Sequence, residues 1–190
     1  MDNLINGLPS LGTIAEIRQV IADDMSDLRH VHETSVRLLA RDMMTPEDVD
    51  EWSRFVRSPA YTDKLFSNPN LGVWLDGQMI AAASWQPSTD QQDTAKITAL
   101  FVRPMFALSG VGARLLEIVE AETAAAGFQS LTIRSFQSAT GFFQSKGYRI
   151  SSYGIRVISP RLSFPVTFMR KGVSAPKKSM ARFNSTETAS

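Results

Sequence analysis

The chain has 190 residues, 43% hydrophobic and 21% charged, with a formal net charge of +1. That length fits one domain with a sizeable core, and the near-neutral balance, with no basic stripe carrying interleaved aromatics, argues against a nucleic-acid partner. The absence of cysteine removes disulfides, thiolate nucleophiles and cysteine metal sites, and two histidines, His30 and His32, are too few for a histidine metal site, so no metal is expected.

Residues 1–13 read as a flexible leader without the build of a secretory signal. No apolar run approaches the ~20 residues that a membrane helix needs. The expectation is a soluble, cytoplasmic protein with no membrane partner. "TIAEIRQVI" alternates as a first strand. Asp24 is placed to cap a helix that carries Leu28, Val31, Ser35, Leu38 and Leu39 at helical spacing. "TPEDVDEWSRFV" starts a second helix, with Thr45 as N-cap, Pro46 in the first turn and Glu47 and Asp48 at the positive end of the dipole. Asp76-Gly77 supplies a two-residue hairpin turn between Val73–Leu75 and Met79–Trp85. "TAKITALFVRP" is a strand stopped by Pro104. "GVGARLLEIVEAETAAAG" is a helix with Val111, Leu115, Ile118 and Val119 on its apolar stripe and Gly127 at its end. "SLTIRSF" is a strand, "SATGFFQSKG" a short helix, and "YRISSYGIRVI" and "FPVTFMRK" the last two strands. The tail from 173 to 190 is polar, without periodicity, and reads as disordered. The order β-α-α-β-β-β-α-β-α-β-β is that of an α+β domain over 14–172, with one helix-crossed parallel step.

The chemistry gathers at "FVRPMFALSGVGARLL". A strand delivers the chain to a helix start, where four amide N–H groups lack internal partners and the macrodipole adds about half a positive charge. Glycines at 110 and 112 let an anion approach the backbone. Taken alone, the stretch supports a phosphate cradle and a tight turn equally. No Gly-x-x-x-x-Gly-Lys-Ser/Thr is present, and no full Gly-x-Gly-x-x-Gly follows a first strand.

Three segments together resemble the GNAT superfamily of acyl-CoA-dependent N-acyltransferases. "ITALFVRP" is similar to the family's central strand. "ALSGVGARLL" is similar to its pyrophosphate loop, Gln/Arg-x-x-Gly-x-Gly/Ala. "ATGFFQSKGYR" is similar to a later segment, through Ala139, Phe142, Gly147 and Tyr148. The resemblance implies a mixed, splayed sheet of six to seven strands with four helices. It implies acetyl-CoA as cosubstrate, a small-molecule or peptide amine as acceptor, and a homodimer as the common assembly of such proteins. It places the pantetheine amides against the backbone of Leu100, Phe101 and Val102. The pyrophosphate falls at the loop of Ala107, Leu108, Ser109, Gly110, Val111, Gly112 and Ala113, and Phe142 and Phe143 flank the cofactor.

Departures from the family pattern affect catalysis. Ala107 stands where the loop has Gln or Arg; Arg103 and Arg114 are the nearby substitutes. Phe143 stands where a tyrosine acid is often found, Phe136 where an asparagine is, and Lys96 and Thr98 where a glutamate base is. Tyr148 and Tyr153 remain as acids, and His32 and Glu33 on the first helix as proton relays; each has an ordinary packing or surface reading beside it. Trp52, Phe55 and Tyr61 line an acceptor pocket or simply pack. Asp90 and Asp93 are positioned to attract a cationic amine. The alternative function is a non-catalytic acyl-CoA sensor of the same fold.

Overall fold

The computed structural model describes residues 15–173, so the leader and all of the expected tail but Val173 lie outside the described residues. The elements are β1 (Glu16–Gln19), α1 (Met25–Leu39), α2 (Pro46–Val56), α3 (Pro59–Phe66), β2 (Asn70–Leu75), β3 (Gln78–Pro87), β4 (Thr94–Val102), α4 (Val111–Ala125), β5 (Ser130–Phe136), α5 (Thr140–Ser145), β6 (Arg149–Ser159) and β7 (Leu162–Gly172). This is the expected order with one addition: five helices stand where four were expected. The extra helix, α3, has an ordinary start, with the Ser58 hydroxyl accepting the Tyr61 N–H and Pro59 in the first turn.

Local chemistry explains most boundaries. Thr45 and Asp48 form a reciprocal capping box at the start of α2. Asp76 and Gly77 take φ of 50° and 74°, as a hairpin turn between β2 and β3 requires. Asp24 departs from expectation. Its carboxylate does not cap α1 but accepts from the Ile21 N–H at 2.9 Å and from Arg18, closing a single turn before the helix.

One seven-stranded sheet has the order β1-β2-β3-β4-β5-β7-β6. Only β4 and β5 are parallel, joined through α4. Helices α1, α2 and α3 cover one face, around the fully buried Trp52 with Leu28, Val31, Phe101 and Phe164. Helices α4 and α5 cover the other, around Leu115, Leu116, Leu131 and Phe143. Strand β3, next to the central β4, is buried on both faces and accordingly reads as a nearly continuous apolar run.

Trp52 joins α2 to the sheet. Its ring meets Phe55, Phe136 and Phe164 with centroids 5.7, 6.4 and 6.2 Å away. Trp52→Ala removes this wedge and should cost about 3–5 kcal/mol. Urea unfolding measures it, and a loss under ~1 kcal/mol would contradict the packing described.

Candidate active site

The β4–β5 ladder stops at Ile97↔Ile133, although β4 continues to Val102 and β5 to Phe136. Beyond that point the strands part and leave a gap, lined by Leu100, Ile133, Phe136 and Phe143 among others. A bulge marks the parting: Ser84 pairs with Ala99 and Trp85 with Ile97, so Thr98 has no counterpart in β3. After the bulge the Arg103 N–H donates to the Ile80 carbonyl at 2.9 Å. Alternation along an antiparallel ladder then turns the main-chain groups of Ala99 and Phe101 into β3, and those of Leu100 and Val102 into the gap. The Ser35 hydroxyl of α1 lies 2.7 Å from the Val102 carbonyl and caps it. Leu100 N–H and C=O and Val102 N–H have no strand partner. Of the three residues Leu100, Phe101 and Val102, Leu100 and Val102 turn main-chain groups toward the gap. Phe101 does not, because β3 takes its main chain; its ring packs 4.6 Å from that of His32.

The loop after β4 makes one tight turn at Pro104–Phe106 and then carries Leu108 and Gly110 at φ of 65° and 87°. A left-handed leucine is strained, and such strain concentrates at functional loops. The Ala107 and Ser109 N–H groups are used inside the loop, on the Pro104 and Phe106 carbonyls. Those of Leu108, Gly110, Val111, Gly112 and Ala113 have no partner among the described residues; the first donor of the α4 ladder is Arg114, to Gly110 at 3.0 Å. No acidic residue sits in the first turn of α4. Five orphan donors on a positive dipole end make an anion cradle. The two glycines have different jobs. Gly110 supplies the positive φ. A Cβ on Gly112 would come within 3.2 Å of Val102, so its bareness serves the packing of α4 on β4. Neither substitute arginine replaces the missing loop side chain: Arg103 bonds Gln78 at 3.1 Å and Arg114 pairs with Glu117.

The aromatic and ionisable candidates separate clearly. Phe143 is buried and lines the gap, edge-on to Phe142, which stands beside Gly112. Tyr148 is buried on the α4 face; burial and the neighbouring Glu120 carboxylate push its phenol far above its ordinary value. It does not line the gap. Tyr153 is exposed on the edge strand β6 and pairs with Thr167, away from the gap. Glu33 is held by Arg57 at 3.0 Å and by Arg37; burial pushes its carboxyl up, but the Arg57 hydrogen bonds and the two guanidinium charges outweigh that and keep it ionised. It is a structural anion rather than a free base. His32 is fully buried, with Nδ1 2.7 Å from the Tyr61 hydroxyl. Burial pushes its imidazole down to about 3.

A second, small pocket opens on the α1–α3 face, lined by Trp52, Tyr61, Lys64, Ser84, Thr98 and Arg156 among others. It shares Thr98, Ala99, Phe101 and Arg156 with the gap, so the two meet across β4. Trp52 and Tyr61 thus both pack and line this pocket, whereas Phe55 only packs. Asp93 acts through its carbonyl, which accepts from Gln129 and Ser130 N–H. Among the described residues, no group of His, Asp and Glu side chains stands close enough to hold a metal ion, and no helix is long and apolar enough to cross a membrane.

This geometry agrees with the comparisons. The family model for the acetyltransferase (GNAT) domain matches residues 40–156. The chain belongs to the GNAT family. Its fold is similar to that of a GCN5-related N-acetyltransferase from Rhodopseudomonas palustris, with a TM-score of 0.74 at 22% identity over 85% of this chain and 97% of that one. The paia N-acetyltransferase from Thermoplasma acidophilum, solved with coenzyme A, gives 0.69 at 16% identity over 83% and 98%. A ribosomal-protein-alanine N-acetyltransferase from Brucella melitensis gives 0.57 at 16% identity over 83% and 99%. No curated protein matches the chain in sequence.

The sequence reading of this GNAT domain missed the bulge at Thr98, the Ser35 cap and the basic residues Arg134 and Arg156. Only the pairing of β5 with β7 and of β7 with β6 puts those arginines on one face. His32 yields a test. It titrates near 6.5 when free but near 3 in the fold, so the unfolded chain binds more protons between these values. Its contribution is present in full above pH 6.5 and is lost as pH falls. Between pH 7 and 5 the wild type should lose about 2 kcal/mol more stability than His32→Gln, which keeps a partner for Tyr61. Equal losses in urea melts would contradict a buried neutral imidazole.

Proposed function

We propose that the chain transfers an acetyl group from acetyl-CoA to a primary amine of a small molecule or peptide, by direct attack within a ternary complex. The observation that carries this is the parted β4 edge running straight into the orphan N–H groups of the 108–113 loop. The residues present fit the cosubstrate. Leu100 and Val102 offer main-chain groups to the pantetheine amides as a missing strand would. Leu108, Gly110, Val111, Gly112 and Ala113 offer five donors to the pyrophosphate, with Phe142 and Phe143 beside the chain of the cosubstrate. Acetyl-CoA, when bound, supplies a thioester; the amine nitrogen forms the new C–N bond as the C–S bond breaks and the sulfur leaves as the thiol.

The chain's own contribution is placement. The junction of the two pockets at Thr98–Phe101 lets an amine on the α1–α3 face meet an acyl group in the gap. Main-chain N–H groups of β4 beside the bulge face the developing charge on the acyl oxygen, and fixed dipoles in a partly dry site act strongly there. No tyrosine, histidine or carboxylate lines the gap among the described residues. A thiolate is a tolerable leaving group, and orientation supplies much of the barrier reduction. The Tyr61 hydroxyl, 2.7 Å from His32 Nδ1, lines the acceptor side together with the Thr98 and Ser84 hydroxyls, and these are the groups that can relay the amine proton to water.

Titration calorimetry with CoA, paired with thiol release from acetyl-CoA and amines, tests the reading. The wild type should bind CoA and release thiol only when amine is present. Gly110→Val places a β-branched residue at φ 87°, where a Cβ meets nothing within 4 Å, so the fold stands while the loop conformation is lost. Its CoA affinity should fall about a hundredfold or more, since several charge-assisted bonds go together. Unchanged affinity would refute the cradle.

A further inference from the structure

Four cations converge on the acceptor face from four elements: Lys64 of α3, Lys96 of β4, Arg134 of β5 and Arg156 of β6. Cross-strand register places them together. Lys96 and Arg134 lie on the strands that part, on the face covered by α1–α3, and Arg156 pairs opposite Phe164 of that same core. Lys64 and Arg156 line the acceptor pocket, Arg134 and Arg156 line the gap, and Lys96 and Arg134 line the adjoining cleft beside the 86–91 segment.

Like charges gathered in partly buried positions are unfavourable unless something opposes them. Burial comes first in holding down the Lys64, Lys96 and Arg156 side chains, and the neighbouring guanidiniums of Arg134 and Arg156 come next. Among the described residues, no carboxylate forms an ion pair with any of the four, whereas Arg18, Arg37, Arg54, Arg57, Arg114 and Lys171 all have one. Asp90 acts on Lys96 only from a distance. Arg156 rests over the Trp52 ring, 5.6 Å from its centroid, which fixes the guanidinium with its donors free. The cluster is separate from the loop at 108–113, whose main-chain donors already serve one anion.

We infer that the acceptor is a small amine that also carries an oxyanion, a carboxylate or a phosphate, seated between Arg134 and Arg156 with Lys64 and Lys96 around it. This rests on the acetyl-transfer reading above and narrows it. Planar guanidiniums grip carboxylate or phosphate through paired N–H donors. The anion anchors one end of the acceptor and leaves the amine free to reach the junction at Thr98. Cationic polyamines and lysine-rich peptides are repelled. The expectation that Asp90 and Asp93 recruit a cationic amine is reversed here, since four cations outweigh one nearby acid.

The test uses the full chain and four amine probes, γ-aminobutyrate, phosphoethanolamine, butylamine and putrescine, with acetyl-CoA. Thiol release should show kcat/KM about tenfold or more higher for an anionic probe than for butylamine, and lowest for putrescine. Arg156→Gln combined with Lys64→Gln should collapse that preference through KM, and Arg156→Lys should keep part of it. Thermal shifts with the anionic probes, with and without CoA, give a readout that needs no turnover. Putrescine or butylamine as the best substrate would overturn the inference. So would loss of CoA affinity in the double variant, which would give the cations to the cosubstrate's phosphates, or CoA binding with no shift by either anionic probe. If CoA itself fails to bind while phosphoethanolamine still shifts the wild type and not the double variant, the anion site stands and the acetyl-transfer reading falls.

Discussion

An open backbone edge inside a folded sheet is the constraint on which the rest depends. Buried N–H and C=O groups need partners, and β4 loses them when β5 turns away after Ile97. Three local features share the resulting burden. The bulge at Thr98 lets β4 change direction without breaking its ladder with β3. Ser35 caps the Val102 carbonyl from α1. The remaining groups, at Leu100 and on Val102 N–H, stay open to an extended ligand. The strand also ends at a proline turn that hands the chain to α4, so the open edge and the helix N-terminus lie in line. A ligand with amides at one end and phosphates at the other matches that order of donors.

Charge is distributed to suit two ligands rather than one. At the 108–113 loop the positive field comes from peptide dipoles, and the flanking arginines turn elsewhere, Arg103 to Gln78 and Arg114 to Glu117. On the α1–α3 face it comes from side chains, and those side chains lack carboxylate partners among the described residues. The pocket on the α1–α3 face and the gap between the parted strands share Thr98, Ala99, Phe101 and Arg156 in their walls. On the proposed reading that junction is where the acyl group and the amine come together.

Much of the fold could be read from the chain because local rules decided it. Thr45-Pro46, Asp76-Gly77 and Gly127 each mark a boundary by their own conformational preference. The Ser58-Pro59 start of α3 carries the same signal and was passed over because the aromatics Trp52, Phe55 and Tyr61 read as one helical run. The helix start at Gly110 was legible for the same reason, a Gly-rich turn running into an apolar helical stripe. The division of labour between the two glycines was not, since the role of Gly112 is a contact with Val102 on another element. Asp24 misled because an arginine six residues earlier competes for its carboxylate. The cationic cluster was illegible because its members come from four separate elements. Their proximity is a product of strand order, above all of β7 lying between β5 and β6. For Tyr148, named both as a substitute acid and as a core aromatic, the structure shows the packed position, under α4.

Amide exchange followed by NMR during CoA titration tests the central claim most directly, because it reads main-chain groups one at a time. Bound CoA should protect or shift Leu100, Val102, Leu108 and Gly110 through Ala113, and leave Phe101 and Arg103, whose N–H groups already bond β3, nearly unchanged. Uniform small changes, or protection confined to residues outside β4 and the 108–113 loop, would contradict an open strand edge completed by the cosubstrate.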